Sequence, residues 1–279
     1  MKNNIQLIAL DMDGTSFHRA GGIVDHNIQP IKKAEEQGVK VVFVTGRPLN
    51  CDLNNDLFKH DMVNNDTLIV GFNGALIKNL LTNEVLHQEV IKKDIVNKVF
   101  KAAKKYKDGS ISLWCYLIDE FTAVVNKPIK GDSYLEGENR FLKGNAIVYH
   151  DDMKLTDAYK FIIGTNEEGF IKDLNNLGLT FYGQLGKNSE VVSTEASKGK
   201  ALEYLSKKYN ISPKNMLSVG DAENDIPMLE YTDFSFAPSN ASEKTKQSAK
   251  FVCDLSNTEG AIAKIIEDFV IEGENKNEN

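Results

Sequence analysis

The stretch Asp11-Met12-Asp13-Gly14-Thr15 stands directly after the apolar run Ile5-Gln6-Leu7-Ile8-Ala9-Leu10. Such a run is typical of a buried strand, and the two-residue period of a strand directs Asp11 and Asp13 to the same side. Two neighbouring carboxylates repel each other, which raises a pKa unless they share a cation or a proton. The stretch therefore predicts a metal site, an acid–base site, or both, at the end of this strand.

Two simpler structures could use the same residues. An EF-hand calcium loop with its glycine at Gly14 would place Ala9 at its first position and Ala20 at its twelfth, where oxygen ligands are required. The calcium loop is therefore excluded. A turn at Asp13-Gly14, with Asp11 as an ordinary cap, is compatible with these residues taken alone. The rest of the chain has to distinguish a turn from a reactive site.

The composition is that of a soluble globular protein. The 279 residues are 41% hydrophobic and 26% charged, and the formal net charge is -7. An acidic chain without long basic tracts is not expected to bind nucleic acid or an anionic membrane surface. No apolar run approaches the roughly 18 residues that span a bilayer, and Asp11 interrupts the N-terminal apolar run, so no signal peptide is predicted. Cys51, Cys115 and Cys253 are expected to be free thiols, which favours the cytoplasm.

Strand and helix signals alternate in the first and last thirds of the chain, which predicts an α/β fold with a Rossmann-like parallel sheet. Ser197 is predicted to cap a helix that starts at Lys198. The predicted strands are residues 5–10, 39–44, 67–72, 215–219, 234–236 and 250–253. The predicted helices are residues 27–37, 48–59, 198–209, 224–231, 240–248 and 259–271.

The middle of the chain has longer and more aromatic strand signals, in which Trp114 and Tyr116 are expected to be packed in a sheet. Adjacent strands with short breaks predict an antiparallel sheet with helices on one face. The predicted strands are residues 111–118, 121–125, 159–163 and 179–184, with helices at 92–106 and 167–177. We therefore expect an α+β domain of residues 83–188, inserted into a discontinuous core of residues 1–82 and 189–272, and a polar tail at 273–279.

Polar side chains follow three strands of the predicted parallel sheet. Asp11 follows the first strand, Thr45-Gly46-Arg47 the second, and Gly220-Asp221 a later one. The carboxyl ends of parallel strands meet at one edge of a sheet, so these groups should converge. Ser197-Lys198-Gly199-Lys200 begins a helix, where backbone amides and a lysine can hold an anion. The combination predicts a Mg²⁺ site beside a phosphate.

These motifs, in this order, resemble the haloacid dehalogenase superfamily of phosphohydrolases, in particular its Cof-like branch. The resemblance runs from about residue 5 to residue 270. It implies a Rossmann-like core whose inserted α+β domain is a cap over the active site. The residues that carry the resemblance are Asp11-Met12-Asp13-Gly14-Thr15, Thr45-Gly46-Arg47, Phe72-Asn73-Gly74-Ala75, Lys198 and Gly220-Asp221-Ala222-Glu223-Asn224-Asp225.

The resemblance also implies roles for the acidic residues. Asp11 would be the nucleophile that forms an aspartyl-phosphate intermediate. Asp13 would protonate the leaving alcohol and then activate water as a base. Mg²⁺ would be held by the Asp11 carboxylate, the Asp13 backbone carbonyl and Asp221. Asp225 would support these ligands without binding the metal itself.

By the same resemblance, Thr45 and Lys198 would bind the phosphate oxygens of the substrate. The Gly46 amide and Asn224 are further candidates for phosphate binding. Lys200 is the alternative to Lys198, but it does not stand at the family's position, and two residues further along a helix it would face elsewhere.

The function expected from these residues is a Mg²⁺-dependent phosphatase for a small phosphorylated metabolite, such as a sugar phosphate or a phosphorylated cofactor. A phosphomutase of the phosphomannomutase type is the alternative. It would need a second cationic phosphate site, and Arg140 is the only arginine in the inserted region. A non-catalytic binding protein is disfavoured because both Asp11 and Asp13 are present. The sequence does not identify the substrate or the oligomeric state.

Overall fold

Two β-sheets with packed helices make up the structure. This computed structural model describes residues 3–19, 21–49 and 53–271, so Cys51 and the predicted polar tail at 273–279 lie outside the described residues. In chain order the strands are β1 (Leu7–Asp11), β2 (Lys40–Val44), β3 (Leu68–Gly71), β4 (Leu76–Asn79), β5 (Val85–Gln88), β6 (Ile111–Leu117), β7 (Ala123–Val125), β8 (Ala146–Val148), β9 (Ala158–Thr165), β10 (Leu179–Tyr182), β11 (Asn188–Ser193), β12 (Met216–Val219), β13 (Phe234–Ala237) and β14 (Phe251–Val252). The helices are α1 (Asp25–Glu36), α2 (Leu53–Lys59), α3 (Lys93–Ala103), α4 (Ser133–Phe141), α5 (Glu168–Asn176), α6 (Lys198–Tyr209), α7 (Ile226–Tyr231), α8 (Glu243–Ser248) and α9 (Ala261–Phe269).

The larger sheet, called the core sheet, has the strand order β14-β13-β12-β1-β2-β3-β4-β5. Its central strand β1 runs parallel to β12 on one side and to β2 on the other. Leu7 and Ala9 belong to one hydrophobic cluster, and Ile8 and Leu10 belong to another. Because both faces of β1 are covered, the strand is apolar until it ends at Asp11.

The predicted parallel sheet is confirmed for the six strands from β14 to β3. The structure adds a hairpin, since β4 and β5 continue the sheet in antiparallel fashion. The sequence pattern does not indicate this hairpin. Lys78 and His87 interrupt its short strands, and β5 is partly exposed along its whole length, so neither strand has a continuous apolar run.

The smaller sheet, called the cap sheet, has the strand order β10-β11-β9-β6-β7-β8. Its pairs are antiparallel except for the parallel pair of β7 and β8. Trp114 and Tyr116 are buried in its packing, as predicted. The same face meets the core, where the ring of Tyr159 stacks on Phe72 with 4.8 Å between centroids.

Helices cover both faces of the cap sheet, so the prediction of helices on one face is wrong. α3 and α5 pack against the face away from the core. α4, which was not predicted, packs on the other face, where Leu135 and Leu142 share a cluster with Trp114. Gly137 lies in the middle of α4 and weakens its helical signal in the sequence.

The two sheets do not divide at the boundaries expected from the sequence, 82/83 and 188/189. β5 belongs to the core sheet, and β11 belongs to the cap sheet. The Glu89 amide still donates to Ala75 of the core, whereas the Ile91 amide donates to Ala158 of the cap sheet. At the other end, the Thr194 amide still donates to Gly178 of the cap, and α6 of the core begins at Lys198. We therefore propose that the cap comprises residues 90–195.

Capping residues set the helix ends. Ser197 accepts a hydrogen bond from the Lys200 amide at 3.0 Å, which confirms the predicted start of α6. α8 begins three residues later than predicted, because Ser242 caps it by accepting from the Thr245 amide. In the part of the chain that the structure describes, no helix combines the length and apolarity needed to cross a membrane.

Candidate active site

Asp11 lies at the carboxyl end of β1, where the neighbouring strands also end. Its side chain is buried, and its Oδ1 accepts a hydrogen bond from Lys198 Nζ at 2.6 Å. Lys198 Nζ also donates to Asp225 Oδ1 at 2.5 Å. Lys198 is 1% exposed, so one ammonium group is buried between two carboxylates. The N-terminus of α6 and the turn after β12 thus meet at the end of β1.

The charges of this cluster depend on each other. Burial is the largest cause that raises the pKa of Asp11, and the Asp225 carboxylate adds to it. Lys198 opposes both effects, but the pKa of Asp11 is still raised well above its ordinary value. Burial alone would lower the pKa of Lys198, but Asp11 and Asp225 outweigh it and the pKa is raised. Lys198 is therefore a permanent cation beside the candidate nucleophile.

Three buried acids form a group that fits a divalent cation. Carboxylate oxygens of Asp11, Asp221 and Asp225 all lie within 4.8 Å of one another. Burial, followed by the nearby Asp225 carboxylate, raises the pKa of Asp221 to about 6. A cation among these oxygens would relieve their repulsion, and carboxylate oxygens are the ligands that Mg²⁺ prefers. The residues present therefore fit the predicted metal.

Asp225 also shapes the turn that carries Asp221. Asp225 Oδ2 accepts hydrogen bonds from the amides of Asp221 at 3.0 Å and Ala222 at 2.9 Å. A Cβ at Gly220 would lie 2.4 Å from the Cβ of Asp225, so only glycine fits this close approach. Asp225 therefore supports the predicted metal ligand and belongs to the acidic group itself.

Asp221 already contacts two donors of the loop that follows β1. Its Oδ1 accepts from Thr15 Oγ1 at 3.2 Å, and its Oδ2 accepts from Arg19 Nη2 at 2.6 Å. The Arg19 side chain is 72% exposed. The guanidinium group therefore contacts this buried acid, a proposed metal ligand, from the solvent side.

Asp13 has a different environment from Asp11, although only Met12 separates them in the sequence. β1 has ended at Asp11, and Gly14 turns the chain with φ +81°. The Asp13 carboxylate accepts two hydrogen bonds from Arg47, from Nε and Nη2, each at 2.7 Å. This two-point contact fixes the plane of the carboxylate at the edge of the cavity. The two acids are close in the sequence, but their carboxylates have different partners, Arg47 for Asp13 and Lys198 for Asp11.

The residues predicted to bind phosphate lie around Asp11, but with different partners. Thr45 is buried, and its Oγ1 accepts from the Arg47 amide at 3.1 Å. The Gly46 carbonyl accepts from Lys160 Nζ at 2.5 Å. Asn224 Nδ2 donates to Asn73 Oδ1 at 2.9 Å.

The structure brings Lys198 to Asp11 and directs Lys200 away from it. Lys200 Nζ donates to the Thr194 carbonyl at 2.8 Å and to Glu195 at 2.9 Å, in an exposed position. The two lysines start the same helix, and two residues of helical rotation place them on different faces.

A cavity of about 340 Å³ opens above Asp11, between the core and the cap. On the core side it is bounded by Asp11, Asp13, Arg19, the turn 46–48 and the turn 221–224. The cap contributes six residues, Tyr116, Tyr134, Glu138, Lys160, Ile162 and Glu190. The candidate nucleophile therefore faces a partly open cavity of the size that small molecules occupy.

Sequence reasoning missed the cap residues of this cavity and the Arg19 contact. Lys160 could have been noticed, because it is a lysine inside the otherwise apolar strand Ala158–Thr165. Tyr116 was expected only to pack, whereas it is buried and also lines the cavity. Glu138 and Tyr134 lie on the unpredicted helix α4, so no pattern in the sequence pointed to them.

Comparison with known proteins gives consistent matches over nearly the whole chain. A sequence profile of the haloacid dehalogenase-like hydrolases matches residues 8–266. A 5-amino-6-(5-phospho-D-ribitylamino)uracil phosphatase of Bacillus subtilis is 28% identical over 278 residues, which cover 96% of this chain and 97% of that protein. A phosphoglycolate phosphatase of Methanobrevibacter smithii is 25% identical over 272 residues, which cover 96% of this chain and 100% of that protein.

A solved structure has the same fold. It belongs to a phosphatase of the HAD superfamily from Bacteroides thetaiotaomicron and has a TM-score of 0.78 at 23% identity. The superposition covers 96% of each chain, so both the core and the cap are included.

Proposed function

Because the chain belongs to the haloacid dehalogenase-like hydrolases, we propose that it is a Mg²⁺-dependent phosphatase that acts on a small phosphorylated metabolite, such as a sugar phosphate or a phosphorylated cofactor. The observation that carries this proposal is the position of Asp11. It is a buried carboxylate at the end of the central strand, held at 2.6 Å by Lys198, and it faces the cavity between core and cap. Related proteins with phosphatase names support the same reaction class.

In the proposed reaction, Asp11 attacks the phosphorus atom of the substrate. Lys198 holds Asp11 Oδ1, so the carboxylate is oriented before the substrate arrives. A bond forms between a carboxylate oxygen and phosphorus, and the bond from phosphorus to the leaving oxygen breaks. The result is an aspartyl-phosphate and a free alcohol.

Asp13 would move the proton in both steps. It protonates the departing oxygen, then accepts a proton from the water that attacks the aspartyl-phosphate and releases inorganic phosphate. The pair of hydrogen bonds from Arg47 holds the Asp13 carboxylate, whereas Asp11 is held by Lys198. These different partners suit one acid to act as nucleophile and the other to act as proton carrier.

Mg²⁺ would be held by the Asp11 carboxylate, the Asp13 backbone carbonyl and Asp221. When bound, the ion would neutralise negative charge on the transferring phosphoryl group. Lys198, Thr45, the Gly46 amide and Asn224 would bind the phosphate oxygens at the same strand ends.

Three measurements test the proposal. We expect Asp11→Asn to abolish phosphate release from p-nitrophenyl phosphate, because the amide is a poor nucleophile. Asp94→Asn, an exposed substitution in the first turn of α3, is the matched control and should keep full activity. EDTA should abolish the activity and added Mg²⁺ should restore it. Full activity of Asp11→Asn, or full activity in EDTA, would contradict the proposed function.

A further inference from the structure

The cap supplies the wall of the cavity that faces Asp11. In the proposed reaction the core residues hold the phosphate, so the leaving group of the substrate would lie against this wall. Its polar groups are Tyr116, Tyr134, Glu138, Lys160 and Glu190. Their charges and contacts therefore indicate what kind of leaving group the cavity accepts.

Lys160 is the ammonium group of this wall, and it is already neutralised. It is 2% exposed, its Nζ forms an ion pair with Glu190, and it donates to the Gly46 carbonyl at 2.5 Å. Glu190 also accepts from Asn73 Nδ2 at 2.6 Å. Although burial tends to raise the pKa of Glu190, Lys160 and Asn73 outweigh it and the pKa is lowered. Glu190 therefore stays ionised, and its charge cancels that of Lys160.

Glu138 adds a second carboxylate to the wall. The Tyr116 hydroxyl donates to Glu138 Oε2, and the Tyr134 hydroxyl also interacts with Glu138. Burial, followed by the nearby Glu138 carboxylate, raises the pKa of both tyrosines, so both remain phenols. Two phenols and a carboxylate thus form one polar group in the wall of the cavity.

The charge balance of the wall is unfavourable for an anion. Two carboxylates and one ammonium group leave a net charge of minus one on the cap residues that line the cavity. On the core side, Arg47 is paired with Asp13, and Arg19 is paired with Asp221. Among the described residues that line the cavity, Lys160, Arg19 and Arg47 are each paired with a carboxylate. A second phosphate or a carboxylate on the leaving group would therefore meet Glu138 without gaining a free cation from this lining.

From this wall we infer that Glu138, together with Tyr116 and Tyr134, determines the substrate specificity. These residues select phosphate monoesters whose leaving group carries hydroxyl or ammonium donors. They reject phosphate monoesters whose leaving group carries a second anionic group. Hydroxyl and ammonium groups donate hydrogen bonds, which Glu138 and the phenol oxygens accept. The inference rests on the proposed phosphatase function and deepens it by naming the class of substrate. It sets this chain apart from an enzyme built for a carboxylate-bearing substrate.

Three compounds with the same carbon skeleton test the inference. Glucose 6-phosphate has a neutral leaving group, glucosamine 6-phosphate carries an ammonium group, and 6-phosphogluconate carries a carboxylate. For each compound, phosphate release and inhibition of p-nitrophenyl phosphate hydrolysis are measured with the wild-type protein and with Glu138→Gln. Glu168→Gln removes the same charge from α5, on the far face of the cap sheet, and is the matched control.

We expect the wild-type protein to prefer the neutral and ammonium compounds over 6-phosphogluconate by at least about tenfold in kcat/KM or in inhibition constant. Glu138→Gln should reduce this preference by about tenfold, whereas Glu168→Gln should leave it unchanged. A wild-type preference for 6-phosphogluconate would overturn the inference and would identify Lys160 as an anion-binding residue. The inference also fails if Glu138→Gln does not change the preference, or if none of the three compounds binds while p-nitrophenyl phosphate is hydrolysed. If p-nitrophenyl phosphate is not hydrolysed either, the proposed function itself has failed.

Discussion

Lys198 Nζ lies 2.6 Å from Asp11 Oδ1, although 187 residues separate the two in the chain. The contact joins the segment of the core that precedes the cap in the sequence to the segment that follows the cap. Lys198 is also bonded to Asp225, so it neutralises part of the charge of two buried acids. We therefore expect this one side chain to matter both for the stability of the core and for the proposed reaction at Asp11.

We expect Lys198→Ala to lower kcat by at least about 100-fold, because the transferring phosphoryl group loses a fixed cation. The substitution also leaves Asp11 and Asp225 without their buried partner, which should cost about 3 kcal/mol of the free energy of unfolding. Phosphate release and denaturant unfolding at neutral pH measure the two effects. Lys200→Ala removes an exposed lysine that pairs with Glu195, and it should change stability by less than about 1 kcal/mol. Equal effects of the two substitutions would contradict this account of Lys198.

Arg47→Lys should impair proton transfer by Asp13, because lysine cannot reproduce the two-point contact of the guanidinium group. The loss should depend on the leaving group. In the proposed mechanism an alkyl phosphate needs a proton from Asp13, and we expect its kcat to fall about tenfold. p-Nitrophenyl phosphate releases a stable anion and should be much less affected. A loss of the same size for both substrates would mean that Arg47 does not act through Asp13.

Gly14→Ala should raise the Mg²⁺ concentration needed for half-maximal activity. A Cβ at this position would lie 2.8 Å from Asp221 Oδ2, so the proposed metal ligand would have to move. Gly14 also has φ +81°, which strains any other residue. Gly109→Ala is a matched control for this strain, because Gly109 has φ +79° and open space at its Cβ position. If both substitutions shift the Mg²⁺ requirement equally, contact with Asp221 is not the cause.

Glu35→Gln should stabilise the protein above neutral pH. Burial raises the pKa of Glu35 from 4.5 to about 7. Between these pH values the folded protein keeps a proton that the unfolded chain has lost, so stability falls as the pH rises from about 4.5 to about 7. Because Glu35 is only partly buried, we expect Glu35→Gln to gain about 1 kcal/mol at pH 8 and little at pH 4.5.

Thermal unfolding of Glu35→Gln at these two pH values measures the difference. Glu36→Gln alters the exposed neighbour in α1 and serves as the control. A gain in stability that is the same at both pH values would show that ionisation of Glu35 is not responsible.

The sequence predicted the parts of the site that lie at the ends of apolar strands. β1 is buried on both faces, so its continuous apolar run identifies both the strand and the position of Asp11. The start of α6 could be predicted equally well, because Ser197, which caps the helix N-terminus, stands directly before it. Strong local signals of this kind do not depend on the rest of the fold.

The opposite wall could not be predicted, because it depends on how the cap lies over the core. Nothing in the sequence near Glu138 indicates that it meets Tyr116 from another element. Lys160 pairs with Glu190 and reaches Gly46 of the core, and these contacts join three distant parts of the chain. Such contacts follow from the relative placement of the two sheets, which short-range patterns do not encode.

The covalent role of Asp11 can be tested most directly by trapping the phosphorylated protein. The wild-type protein is mixed with substrate and Mg²⁺, quenched in acid within one turnover, and digested for mass spectrometry. We expect one added phosphoryl group, located on the peptide that contains Asp11, and none in Asp11→Asn. Rapid turnover with no phosphorylated peptide, or a phosphoryl group attached to a different residue, would show that Asp11 is not the nucleophile.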